Sequence, residues 1–298
     1  MREVSGFLNV HKPEGPTSHD VVDRIRRHTG VRRVGHGGTL DPFATGVLVV
    51  CLGKATRLAE FLIGSPKQYR AVVELGRSTD TYDRTGQVTA ARDPSGVTRE
   101  QVEAALARFR GKVLQTPPPF SALKKGGVPL YRLARAGKPL RPDPREVEIA
   151  QLDLVAWDPP RLALEVTCSA GTYIRSLAHD LGQALGCGAH LVDLVRLRSG
   201  RFRLEEAVPL EALLAAGPEG WRQWLLPLET AVEHLPRVDL DAGEVRRLSQ
   251  GQPVPARRVP SLQPGDLARG HGPEGDLVAL LRLDPAGPSW LPYKVLAH

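Results

Sequence analysis

Asp41 stands in the segment GHGGTLDPFATGVLVV, residues 35 to 50, between a glycine-rich turn and an apolar run. Gly35, Gly37 and Gly38 permit positive φ and close approach by another backbone. Pro42 removes a backbone donor directly after the carboxylate and biases Asp41 away from helical geometry. An acid held this way can act as a nucleophile or stabilise developing charge, although Asp before Pro is also an ordinary turn or helix start. A second constellation, CSAGTYIRSLAHDLG at 168 to 182, sets Tyr173 and Arg175 where a strand runs into a helix. From there Arg175 can pair with Asp41, lowering its pKa and fixing its rotamer, or stand as a surface arginine beside a structural tyrosine. Tyr69 opens a strand with Lys67 and Arg70 beside it; a ring flanked by cations suits stacking on a base, and equally suits a core. His36 lies in a turn that either exposes an imidazole or wedges between bases. The stretch 117 to 147 is basic and proline-interrupted, with Lys124, Lys125, Arg132, Arg135, Lys138, Arg141 and Arg145 around Tyr131, a pattern able to clamp a phosphate backbone.

These side chains need short elements to position them. Strand patterns cover GFLNVHK (6 to 12), QYRAVVELG (68 to 76), RLALEVTCS (161 to 169) and DLVALLRLD (276 to 284), each bounded by Gly, Pro or Asp. The run GVLVVCLG is a core strand or helix start, with Cys51 a small buried hydrophobe. Helix patterns cover 18 to 30, with Ser18 or Asp20 as cap and Gly30 as stop, and 98 to 111, where Thr98 and Gln101 fit a capping box. Two further helices are expected at 173 to 186 and near 209 to 216. The fold class is α+β. A break near 234 to 240 divides residues 1–235, a catalytic domain with a basic insertion at about 121–147, from a small β-rich domain at 236–298.

The chain has 298 residues and 41% hydrophobic content, enough for a real core. Three widely spaced cysteines fit neither a metal knuckle nor a disulfide framework and point to a reducing compartment. No window of about 18 uncharged apolar residues occurs, so no membrane span and a cytoplasmic location are expected. Forty Lys and Arg against 33 Asp and Glu give a net charge of +7, which tilts the reading toward a polyanionic partner. Neither a GxGxxG nor a GxxxxGK[ST] loop is present, against dinucleotide and P-loop nucleotide chemistry.

Taken together, KPEGPTSHDVV (12 to 22), GHGGTLDPFATGVLVVCLGKATRL (35 to 58), PPPFSALKKGGVPLYRLAR (117 to 135) and CSAGTYIRSLAHDLGQALGCGAHL (168 to 191) resemble, in order and spacing, the TruB family of tRNA pseudouridine synthases. The resemblance implies isomerisation of uridine 55 in the tRNA T loop, on a pseudouridine-synthase fold with a mixed, mainly antiparallel sheet flanked by helices and a C-terminal PUA-like RNA-binding domain. It makes Asp41 the essential aspartate, Tyr69 the ring against the target base and Arg175 the partner of Asp41. It makes His36 the residue that displaces bases, Tyr173 and Leu194 pocket residues, Lys12 and Lys124 substrate contacts, and 121 to 147 a segment closing over RNA. No cofactor, no metal and no obligate protein partner are implied, and a monomer is expected. One departure stands out: the family commonly carries Leu-Arg-Arg where this chain has Leu194, Val195 and Arg196, so altered RNA contact or packing is expected there.

Two other classes compete. A non-catalytic RNA-binding or RNA-folding module needs only the basic surface and the C-terminal region, and leaves the Asp, Tyr and Arg set without a task. A small-molecule phosphotransferase would use GHGGT as an anion cradle, but no metal-binding carboxylate cluster is evident beside it.

Overall fold

The structure is a computed structural model that describes residues 4–121, 123–136, 140, 142–257 and 262–297; for Lys124, Lys125, Pro129, Tyr131 and Arg135 it describes the backbone alone. In chain order the first part contains β1 (Gly6–Lys12), α1 (Ser18–Thr29), β2 (Val34–His36), β3 (Thr45–Leu52), α2 (Ala59–Gly64) and β4 (Lys67–Leu75). It continues through α3 (Arg99–Ala107), β5 (Gly111–Gln115), α4 (Leu130–Arg135), β6 (Arg145–Asp158), β7 (Arg161–Cys168), α5 (Ile174–Ala184) and β8 (Ala189–Ser199).

Among the described residues ten strands join into one sheet, whose main path runs Val208–Pro209, β1, β3, β8, β4, β7, β6, β5. β3 lies parallel to β8, and β1 to Val208–Pro209; the other pairs are antiparallel, so the sheet is mixed and mainly antiparallel, as expected. β3 is central and covered on both faces, which is why its residues from Gly46 to Leu52 are continuously apolar and buried. β4 instead alternates, with Lys67, Tyr69, Ala71, Val73 and Leu75 buried on one face. That face packs with β7, α3 and α5 through Val102, Leu106, Val166 and Leu177.

Both expected capped helices form. The cap of α1 is Thr17 rather than Ser18 or Asp20: Thr17 accepts from the Asp20 N–H and Asp20 reaches back to Thr17, a reciprocal box, while Gly30 closes the helix at φ 68°. Ser18 is buried one residue inside and turns to another task, described below. α3 begins on the Thr98 and Gln101 box.

A second sheet begins at β9 (Arg237–Asp239) and continues through β10 (Leu267–His271), β11 (Leu277–Leu283) and β12 (Ser289–Val295), with Val254–Pro255 on its far edge. This is the small β-rich, PUA-like domain anticipated from the sequence. It has its own core around Leu240, Leu248, Leu281 and Trp290. It is also packed onto the first sheet, since Leu277, Leu280 and Leu296 share a cluster with Phe7, Leu58 and Phe202. Glu229, ahead of β9 in the chain, accepts from Arg269 at 2.8 Å and lies 2.5 Å from the buried His271.

Candidate active site

The Asp41 loop is held from below by two buried cations, Lys12 and Arg196. Lys12, at the end of β1, has 0% exposure, and its Nζ donates to the carbonyls of Pro13, Pro42 and Ala44 at 2.9, 3.1 and 2.7 Å. Burial pushes its pKa down to about 8, against the opposing pull of Asp41. A direct RNA contact, expected for Lys12, does not fit so enclosed an ammonium; the side chain fixes the loop instead. Arg196 is 2% exposed and donates to the carbonyls of Val47, Thr39 and Gly38 at 2.6, 3.2 and 3.0 Å. Ser18 completes the brace, giving its hydroxyl to Leu40 O at 3.0 Å and accepting from Leu40 N at 2.8 Å.

The glycines divide the work differently from expectation. Only Gly38 of the GHGG turn has positive φ, at 136°; Gly37 is required because a Cβ there would lie 2.6 Å from Leu62 Cβ. Within residues 35 to 50 the closest backbone approach is at Gly46, φ 103°, where a Cβ would strike the Arg196 main chain.

Arg175, in the first turn of α5, reaches Asp41 across 134 residues of chain with two contacts, Nη2 to Oδ1 at 3.0 Å and Nε to Oδ2 at 2.9 Å. The pairing inferred from sequence is therefore present. Its effect on the acid is not the expected one: Arg175 pulls the pKa of Asp41 down, but burial in the cleft, helped by the charge of Asp83, outweighs it and the net direction is upward. The Asp41 side chain keeps 31% exposure, so its remaining lone pairs face the cleft.

Asp83 is the main residue that sequence reading missed. It is 3% exposed and lies 3.4 Å from Arg175 Nη1, on the far side of the guanidinium from Asp41. Its Oδ1 accepts from Thr81 Oγ1 at 2.8 Å, Thr85 N at 2.9 Å and Thr85 Oγ1 at 2.5 Å. Arg175 also donates to Thr81 O and Phe120 O. Tyr82, between Thr81 and Asp83, takes φ 64° and stacks on His179 with ring centroids 3.9 Å apart. The only sequence signal was the polar run TDTYDRTG after β4, which reads as an ordinary turn.

Tyr69 lies on β4 opposite Arg196 of β8, 8% exposed, in the same cluster as Leu40, Phe43 and Leu194. Burial pushes its hydroxyl pKa up, opposed by Arg196, which shares a hydrogen bond with it. Leu194, 5% exposed, pairs with Ala71 beside it, so these two expected pocket residues do meet. The flanking cations do not frame the Tyr69 ring. Lys67 is buried and donates to Leu62 O, Ile63 O and Ser65 O at the end of α2, whereas Arg70 points to the other face and pairs with Glu165 at 2.7 Å. Burial and the nearby Arg196 hold the His36 imidazole below its usual range, and its Nδ1 accepts from Gly38 N at 3.3 Å.

Tyr173 caps the start of α5, where Gln115 brackets its backbone N and O at 2.7 and 3.0 Å and Arg145 covers its ring at 5.3 Å. It is thus fixed two residues from Arg175. Of the basic segment, Lys124 lies in a short strand, Lys124–Lys125, but its side chain falls outside the described residues, as do those of Tyr131 and Arg135 and all of Lys138 and Arg141.

A carboxylate gripped by a buried arginine and exposed on its other side, with a buried tyrosine and leucine in the neighbouring apolar cluster, suits attack on, or proton removal from, a flat polar ring and its sugar. Comparison with known proteins is consistent with that. Residues 26–174 match the model for the TruB family pseudouridylate synthase N-terminal domain, and residues 175–233 that for the tRNA pseudouridylate synthase B C-terminal domain. The chain is 48% identical to a tRNA pseudouridine synthase B of Syntrophotalea carbinolica over 86% of its own length and 84% of the relative's. It is 44% identical to a tRNA pseudouridine synthase B of Dehalococcoides mccartyi over 98% of its length and 96% of the relative's. Among solved structures, it superposes with a TM-score of 0.75 on an H/ACA ribonucleoprotein bound to a substrate RNA containing 2'-deoxyuridine, at 28% identity, covering 98% of this chain and 85% of that one.

Proposed function

The chain belongs to the TruB family of pseudouridylate synthases, and on that premise we propose that it isomerises the uridine at position 55 of the tRNA T loop to pseudouridine, with Asp41 as the reacting carboxylate. The observation that carries the reading is the two-contact pair of Asp41 with a buried Arg175 that is itself backed by Asp83.

The reaction breaks the bond from ribose C1' to N1 of uracil, turns the base in place, joins C5 to C1' and releases the C5 proton, while N1 takes up a proton. Asp41 attacks C1', adds to C6, or takes a ribose proton on the way to a glycal; each route needs it ionised and aimed, which is the role of Arg175. No redox or nucleotide step enters. Tyr69 and Leu194 form the apolar floor for the base. Extruding a stacked base costs a few kcal/mol. Binding supplies this through His36 in the GHGG loop, the basic segment 121–147 and the 236–298 domain as an RNA-binding module. The enzyme works on the T stem-loop as a cytoplasmic monomer without an obligate protein partner.

Asp41→Asn tests this. It should leave tRNA binding nearly intact while tritium release from C5-labelled tRNA falls by at least about 10³-fold. Carbodiimide mapping of the wild-type product should place the modification at one T-loop uridine. Normal turnover by the variant removes Asp41 from the chemistry, and a product at another uridine removes the site assignment.

A further inference from the structure

Arg145 opens β6 and pairs in register with Gln115 of β5, the residue whose carboxamide brackets Tyr173. Its guanidinium lies over the Tyr173 ring at 5.3 Å, and its Nη1 would be 3.8 Å from a Cβ on Gly171, so it sits against the turn that leads into α5. Among the described residues its Nη2 is enclosed without a hydrogen-bond partner, while the side chain as a whole is only half-buried, unlike that of Lys12. Among the described residues Arg145 also makes no ion pair, which sets it apart from its neighbours. The next residue of β6, Glu146, pairs diagonally with Lys112 of β5 at 3.6 Å, and elsewhere on the sheet Arg70 pairs with Glu165 and Arg161 with Glu74.

A guanidinium carries five donors and stays charged, and leaving one donor enclosed without an acceptor is unfavourable. Stacking on Tyr173 satisfies the face of the group and leaves its edge unpaired. An acceptor that would complete that edge is a planar or tetrahedral oxyanion, and the substrate of this site is a polyanion. Tyr173 precedes Arg175 by two residues, so a nucleotide whose ribose lies at Asp41 brings its flanking phosphates along the same wall.

Resting on the functional reading above, we propose that Arg145 is a substrate-binding residue that takes a phosphate next to the target nucleotide, with Tyr173 as the platform that holds its guanidinium flat. The alternative is a purely structural role, with Arg145 only a lid on the Tyr173 ring.

The test uses the full chain and a fluorescent T stem-loop, with single phosphates replaced one at a time by neutral methylphosphonates. Arg145→Met keeps apolar cover on the ring and removes the charge. It should weaken binding on the order of tenfold and reduce the slope of log affinity against log salt by about one. Arg145→Lys should keep the slope. One methylphosphonate flanking the target uridine should weaken the wild type and leave Arg145→Met unaffected, while the others weaken both alike. If every substitution costs the two proteins the same, or if Arg145→Met binds with wild-type affinity and slope, Arg145 touches no phosphate. Should Arg145→Met melt early, the comparison of Arg145→Lys with the wild type over the same RNA series decides, a lysine still sensing the same single phosphate or none. Turnover of the wild type on the unmodified stem-loop is measured alongside; binding without pseudouridine would fail the functional reading and leave the phosphate contact judged on its own.

Discussion

Asp41 and Asp83 share one arginine, and their surroundings give them opposite tasks. Asp83 is 4% exposed at its side chain and has its carboxylate filled by Thr81, Thr85 and Arg175, so no acceptor capacity is left for a substrate. The Asp41 side chain is 31% exposed and, among the described residues, its carboxylate is paired with Arg175 alone. One acid is an anchor and the other is left unfinished on its open side. On the proposed reading, reactivity follows from incomplete satisfaction beside a buried arginine, and the anchor makes that incompleteness tolerable by holding the arginine still.

The largest effect that can break this contrast is loss of the shared cation. Arg175→Met should reduce turnover by about 10³-fold, since Asp41 then has neither a fixed rotamer nor a counter-charge. A loss under tenfold would mean that the pair is incidental. Asp83→Asn should come next, lowering kcat by about 10- to 100-fold with a smaller change in KM, because Arg175 loses its backing but stays in place. An unchanged kcat would reduce Asp83 to a fold residue.

The same variant sharpens the electrostatic side. Asp83 pushes the pKa of Asp41 up, so removing its charge should move the acid limb of the kcat profile to lower pH. A limb that moves upward contradicts the shared-arginine account. Stability should split the two acids by sign. The folded pKa of Asp41 is raised, so its ionised form is disfavoured by folding; that stabilisation is present at low pH and is lost as pH rises through the folded value. At neutral pH, Asp41→Asn should therefore be no less stable than the wild type in a denaturant titration. Asp83→Ala strands the Thr85 N–H and two hydroxyls and should lose about 2 kcal/mol in a denaturant titration.

How much of this was legible depended on whether a signal was local. Strands bounded by Gly, Pro or Asp came out within a residue or two: Gly6–Lys12 as expected, Arg161–Cys168 one residue shorter. Asp41, Arg175, Tyr69 and Leu194 came from motif order, and the fold pairs Arg175 with Asp41 and sets Tyr69 and Leu194 in one cluster. Lys12 was read as a substrate contact and Lys67 as a cation flanking the Tyr69 ring, because nothing in a sequence distinguishes a lysine that meets a ligand from one enclosed by three carbonyls. Arg196, kept where the family's second arginine stands, proves to be a brace for the Gly38 to Val47 backbone rather than an exposed contact. Asp83 was illegible for a related reason: its partners come from Arg175 and from a turn whose composition matches any solvent loop.

That turn yields the smallest and most local test. Tyr82 holds φ 64°, a region costing a residue with a Cβ roughly 1 kcal/mol, and it recovers a similar amount by stacking on His179. The two terms predict a specific ordering. Tyr82→Ala keeps the backbone strain and loses the stack, so it should be destabilised by about 1 kcal/mol. Tyr82→Gly loses the stack but also the strain, and should lie closer to the wild type than the alanine variant despite the greater freedom of glycine in the unfolded chain. If the stack also serves to keep Asp83 against Arg175, both variants should lose a few-fold in kcat while their stabilities differ. If kcat instead follows stability, the ring only fills space, and the anchor needs nothing beyond Thr81 and Thr85.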